Sequence, residues 1–178
     1  MKRLPFTDAF VDESIRGRRY LMACVMAEVR HLPEMRLTMR DIALHQRVHF
    51  NNESTARKRV VLSVIATMPI TSFVFVAERR HGVSEFDARN TCLAAIVEQV
   101  QGRKIPLLVI ESRDDDREDE RQLVRVRRPE PWLTFEHRQP NHEPMLWVAD
   151  AIAWAQGAGN NWRKLIEPVV GEVVELRP

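Results

Sequence analysis

A chain of 178 residues with 44% hydrophobic content and a formal net charge of +2 is long enough to bury one sizeable core and short for two, so a single domain over residues 1–178 is expected. Its longest apolar run, YLMACVMA, is far below the roughly 18 residues that cross a bilayer, and the first residues hold no apolar signal segment. Cys24 and Cys92 each sit in an apolar stretch, which argues against a disulfide scaffold and for buried thiols in a reducing, cytoplasmic setting.

Apolar periodicity predicts strands at 8–13 and 19–28, joined by SIRGRR with Gly17 suited to a hairpin turn, so this pair is antiparallel. A third strand is expected at 46–50. The helix expected at about 52–68 carries Ala56, Val60, Val61, Val64, Ile65 and Met68 on one stripe, with Arg57, Lys58 and Arg59 turned partly to water. A strand at 70–77 follows, then a helix at about 85–101 that opens on a capping-box-like Ser84 and Asp87 and spaces Phe86, Leu93, Ile96, Val97 and Val100 along one face. Both helices read as crossovers between buried strands. Strands at 105–111 and 132–137 precede a helix at about 143–156, in which every residue from Met145 to Ala155 is apolar except Asp150. The fold class is α/β, a mixed sheet flanked by helices.

Three carboxylates share a placement. Asp12 ends the first strand, Glu111 ends the buried strand in LLVIES, and Asp150 interrupts an apolar helix. Ligands gather at the ends of strands in α/β sheets. Were the three acids to converge, their mutual repulsion would call for a cation, and hard oxygen donors suit Mg²⁺ or Mn²⁺. A pair of such ions activates water and stabilises the leaving oxygen of a phosphodiester.

FVDES at 10–14, VHFNNES at 48–54, LLVIES at 107–112 and MLWVADAIAWA at 145–155 together resemble the domain-of-unknown-function 3800 family over roughly residues 8–157. That resemblance implies an RNase H-like fold in which a first-strand carboxylate and a late-helix carboxylate hold catalytic metal ions. It makes Asp12 the first-strand ligand and Asp150 the late-helix ligand. Glu111 takes the intermediate acidic position, where aspartate is commoner in the family.

Around this trio, Glu13 should point to the opposite face of its strand and pair structurally. His49 and Glu53 lie where strand passes to helix and could support the site. Glu136, His137, His142 and Glu143 flank the last helix and read mostly as solvated surface. Residues 1–60 carry 12 basic against 7 acidic side chains, which suits a phosphate-rich partner, with Arg57, Lys58 and Arg59 as candidate nucleic-acid contacts. HQRVH at 45–49 spaces two histidines like a zinc-protease helix, but Gln46 stands where a general base is needed. Neither a nucleophile elbow nor a P-loop occurs, and GAGNNW at 157–162 lacks the third glycine of a dinucleotide fingerprint. The expected function is a metal-dependent, nuclease-like phosphodiester hydrolase. Its rival is a non-catalytic binding or regulatory module of the same fold, for instance within a toxin or mobile-element system.

Overall fold

The computed structural model describes residues 6–44 and 47–178. Strands β1 (Thr7–Arg16), β2 (Arg19–Glu28), β3 (Ile70–Glu78), β4 (Leu107–Glu111), β5 (Thr134–Arg138) and β6 (Val170–Leu176) form one mixed sheet in the order β5-β4-β1-β2-β3-β6. The β1–β2 and β2–β3 pairs are antiparallel, and β1–β4, β4–β5 and β3–β6 are parallel. Gly17 makes the first hairpin possible by taking a φ of 58°, a conformation that a side chain would strain.

Six helices cover the two faces: α1 (Leu32–Ile42), α2 (Thr55–Ile65), α3 (Glu85–Gly102), α4 (Asp116–Val126), α5 (Pro144–Ala158) and α6 (Asn160–Ile166). One core layer packs α1, α2, α5 and α6 against Phe10, Leu21, Ala23, Val25, Val74 and Val109. The other packs α3 and α4 against Ala9, Val11, Met22, Cys24, Phe75 and Ile110. Adjacent residues of β1 thus serve opposite layers, as a period of two demands. Both cysteines are buried free thiols, and burial pushes each up to about 12.

The structure corrects several sequence expectations. Gln46 lies outside the described residues, and 47–50 form no strand: Val48 and Phe50 are buried at alternate positions, but the segment runs into a short 3-10 turn, Phe50–Asn52. With that strand gone, α2 is no crossover, since it joins α1 in the connection between two antiparallel neighbours. Helix α2 begins at Thr55, where the Ser54 side chain accepts the Arg57 N–H. Its buried stripe is Val61, Leu62 and Ile65, while Val60 is 47% exposed, Ala56 faces water and Lys58 is buried. The Ser84–Asp87 capping box opens α3 as expected, but Phe86 stays exposed. Strand β1 does not stop at Asp12; it continues to Arg16 in the hairpin.

No helix among the described residues is long and apolar enough to cross a membrane.

Candidate functional site

The register of β1 against β4 explains how Asp12 reaches the edge of the sheet without ending its strand. Parallel pairing runs from Asp8↔Leu107 to Val11↔Ile110, and β4 stops one residue later at Glu111. Asp12 and Glu111 therefore emerge side by side where the neighbour runs out. Both follow residues of the α3 layer, so both turn to the opposite face, where α5 crosses β1 and presents Asp150.

Asp12, Glu111 and Asp150 line one cavity of about 210 Å³ together with Arg47, Val48, His49, Arg113, Pro140 and Trp147, and Glu13 at its margin. Asp150 accepts the Phe50 N–H at 3.0 Å and lies 3.9 Å from His49 Nδ1; Arg47 Nη1 is 3.9 Å from Glu111. Trp147, which lines the cavity, donates its Nε1–H to the Pro140 carbonyl at 2.6 Å, and that bond fixes the orientation of its ring. Burial first, then the hydrogen bond with Glu111, then repulsion from Glu111, Asp150 and Glu13 push the Asp12 carboxyl well above the usual carboxylate range. Asp150 is pushed up to about 6, chiefly by burial, against the opposing pull of the Phe50 N–H and of His49. Two carboxyls are thus held back from ionising chiefly by burial, and for Asp12 also by the neighbouring acids.

A divalent metal fits this donor set in chemistry: hard oxygen donors from three separate elements converge on one small cavity. Among the described residues, no group of three or more His, Cys, Asp or Glu side chains is closed into a metal-holding arrangement as it stands.

The other predicted residues divide. Glu13 faces the α3 layer, bonded to Arg89 at 2.7 Å and 3.5 Å from Arg113. Arg89 is only 4% exposed; it also holds Asp119 through two bonds of 2.7 and 2.6 Å and the Tyr20 hydroxyl at 3.0 Å. Despite its burial, Asp119 is held down at about 2 by bonds from Arg89 and His137. His49 stands at the cavity rim, its side chain 47% exposed. Glu53 is not brought to the cavity; it pairs with Arg57 at 3.5 Å, and its carbonyl accepts Lys58 Nζ at 2.6 Å. Neither Glu136, His137, His142 nor Glu143 lines the cavity. Glu143 is buried, not solvated, because it caps α5 at Met145 and binds Arg36 and Arg138.

Arg57, Lys58 and Arg59 do not form one open basic face. Arg57 donates to the Ile42 carbonyl, Lys58 donates to the Asn51 and Glu53 carbonyls, and exposed Arg59 lies 5.1 Å from the Trp162 ring centroid. Sequence reasoning missed Arg47 and Arg113 at the cavity, and the aromatic cluster beside it. Trp154 meets Phe50 and Trp162 edge to face, each at 5.2 Å, with Arg16 and Lys58 at 4.7 and 4.8 Å from its ring centroid. The signal for the cluster was present in the spacing of α5, where Trp147, Asp150 and Trp154 recur at three and four residues on one helical face.

Compared with known proteins, the chain matches no family model and no curated protein.

Proposed function

We propose that the chain is a divalent-metal-dependent, nuclease-like phosphodiester hydrolase of RNase H-like fold, as its resemblance to the domain-of-unknown-function 3800 family implies. The observation that carries the reading is the meeting of Asp12, Glu111 and Asp150, from a first strand, a parallel neighbour and a late helix, in one cavity. The mixed sheet, with its first-strand and late-helix carboxylates on one face, supports the fold assignment.

Asp12, Glu111 and Asp150 would hold Mg²⁺ or Mn²⁺. When bound, such an ion supplies Lewis-acid stabilisation of the charge that develops on a phosphodiester. The chain's own residues do the rest. Arg47 and Arg113 line the same cavity and offer planar donors to phosphate oxygens. His49, beside Asp150 and open to solvent, is placed to carry a proton in or out. Trp147, held by its bond to the Pro140 carbonyl, forms an apolar part of the cavity lining.

The test pairs binding with turnover. Melting of the wild type is followed with and without millimolar Mn²⁺ and Mg²⁺, beside hydrolysis of single-stranded, duplex and hybrid substrates. At ten times Kd the ion should add about 1.4 kcal/mol, a rise of roughly 3–6 °C, and Asp12→Asn should abolish both the rise and the hydrolysis. No shift and no hydrolysis on any substrate would overturn the reading.

One observation favours the non-catalytic module. The Asp150 carboxylate holds the Phe50 N–H and so organises the turn ahead of α2, a structural task that needs no metal.

A further inference from the structure

We propose that Arg16, Trp154 and Lys58 form an anchor for a phosphate of a single nucleic-acid strand, one helical turn from the acidic cavity. The choice of partner rests on the hydrolase reading, whereas the anion site stands on its own geometry.

Asp150 and Trp154 are four residues apart on α5, about 6 Å along the axis. Phe50 ties the two together, its N–H on Asp150 and its ring edge against Trp154, and Trp154 Nε1–H donates to Asn51 Oδ1 at 3.2 Å. Arg16, at the end of β1, lies across α5 at Gly157. A Cβ there would sit 2.9 Å from Arg16 Cγ, so only glycine lets the arginine stem lie flat and carry its guanidinium over Trp154.

This guanidinium makes no hydrogen bond or ion pair among the described residues, and its Nη2 is buried with no partner. Lys58 reaches the same ring, and its ammonium bonds only to backbone carbonyls. Burial, and next the nearby Arg16, push Lys58 down from its ordinary range. Two cations thus crowd one ring, and among the described residues no carboxylate forms an ion pair with either, although the Glu53 and Asp150 charges act on Lys58. The complementary ligand is an anion that bridges them.

A nucleic-acid strand fits better than free phosphate because the rings continue outward. Trp162 abuts Trp154, and exposed Arg59 stacks on Trp162, which gives cations with aromatic rings between them, the pattern that tracks a backbone and stacks its bases. A duplex keeps its base faces hidden, so the strand is single. Its phosphate on Arg16 and Lys58 delivers the adjoining linkage toward Asp150.

The experiment is an anisotropy titration with labelled oligo-dT and oligo-U, in EDTA and at several salt concentrations. It uses wild type, Arg16→Gln, Trp154→Phe and Asp150→Asn, each checked for a cooperative melt no lower than that of wild type. Inorganic phosphate and a mononucleotide serve as competitors. The proposal expects saturable wild-type binding that weakens with salt, and about tenfold weaker binding by Arg16→Gln with a salt slope lower by roughly 0.7. Trp154→Phe should weaken binding less, and Asp150→Asn should bind at least as well as wild type. Competition by phosphate as effective as by oligonucleotide would overturn the strand assignment. Equal affinity for wild type and Arg16→Gln would overturn the anchor. Hydrolysis with Mn²⁺ in the absence of any Arg16 effect refutes the anchor and spares the hydrolase; an Arg16-dependent complex without hydrolysis supports the anchor and removes the hydrolase.

Discussion

In metal-free buffer, replacing Asp150 by Asn should stabilise this protein. Among the described residues Asp150 forms no ion pair with an arginine; it has the Phe50 N–H at 3.0 Å and His49 at 3.9 Å, feels the Arg47 charge across the cavity, and shares that cavity with Asp12 and Glu111. Its carboxyl is pushed from 3.8 to about 6 in the folded chain. Two units correspond to about 3 kcal/mol for holding the charged form at neutral pH. Its side chain is 17% exposed, and the Phe50 bond is weaker to an amide than to a carboxylate, which together reduce the expected gain to about 1–2 kcal/mol. For a chain of this length that is a rise in Tm of roughly 2–8 °C. Because the folded value is the higher one, the folded state holds the proton more tightly. The cost is absent below pH 4, grows as pH rises, and is fully expressed above pH 6. Thermal melts of wild type and variant in EDTA at pH 5 and pH 8 read the effect: the variant's advantage should be larger at pH 8. Hydrolysis with Mn²⁺ in the same preparations should be lost. A variant destabilised by 3 kcal/mol or more at both pH values would refute this reasoning and make Asp150 a structural pair.

Arg89→Met should leave the buried Asp119 and part-buried Glu13 carboxylates with only His137 and Arg113 beside them and cost about 3–5 kcal/mol, a fall of roughly 6–20 °C in Tm; a loss below 1 kcal/mol would mean the network is dispensable. Asp119, held at about 2, contributes stability that is complete above pH 4 and lost as pH falls toward 2, so denaturant melts of Asp119→Asn should lack that acid-side slope. Phe50→Ala removes a fully buried ring and its contact with Trp154, with an expected cost of about 3–5 kcal/mol by urea unfolding; a cost under 1 kcal/mol would show that the turn ahead of α2 does not depend on it.

Where apolar periodicity was strong, the sequence was sufficient. The hairpin of 19–28 with its partner, the strands at 70–77 and 105–111, and the buried α5 all announce themselves by continuous Val, Ile, Leu and Phe. The failures have identifiable physical causes. Val48 and Phe50 alternate as in a strand but are held by α5 and by the Asp150 carboxylate, a tertiary contact a hundred residues away in sequence. Helix α4 was hidden because it opens within the acidic run 114–120, which shows no apolar periodicity; in the fold its charges oppose the helix dipole and Asp119 faces Arg89. Strand β6, with most of its residues partly or fully exposed, has too little apolar contrast to be recognised. For the candidate site, the three carboxylates were legible because each is a charge inside apolar sequence. Arg16, Arg47 and Arg113 were not, since an arginine among so many gives no local sign of which wall it will line.

Asp12 and Glu13, one on each face of β1, have a further role in assembly. The residues before them, Ala9, Phe10 and Val11, are buried on both faces, and β2 is apolar along nearly its whole length. Over that stretch the strands could slide past one another by a residue with little hydrophobic penalty, because Ala9–Val11 and most of β2 offer apolar side chains to either layer. The carboxylates break that degeneracy. A slip by one would carry Asp12 toward Arg89, which it is a methylene too short to serve as Glu13 does, and would aim Glu13 into the cavity beside Glu111, leaving Arg89 short of a partner. Two adjacent charges that follow an apolar stretch would thus act as an alignment mark for the register of the sheet.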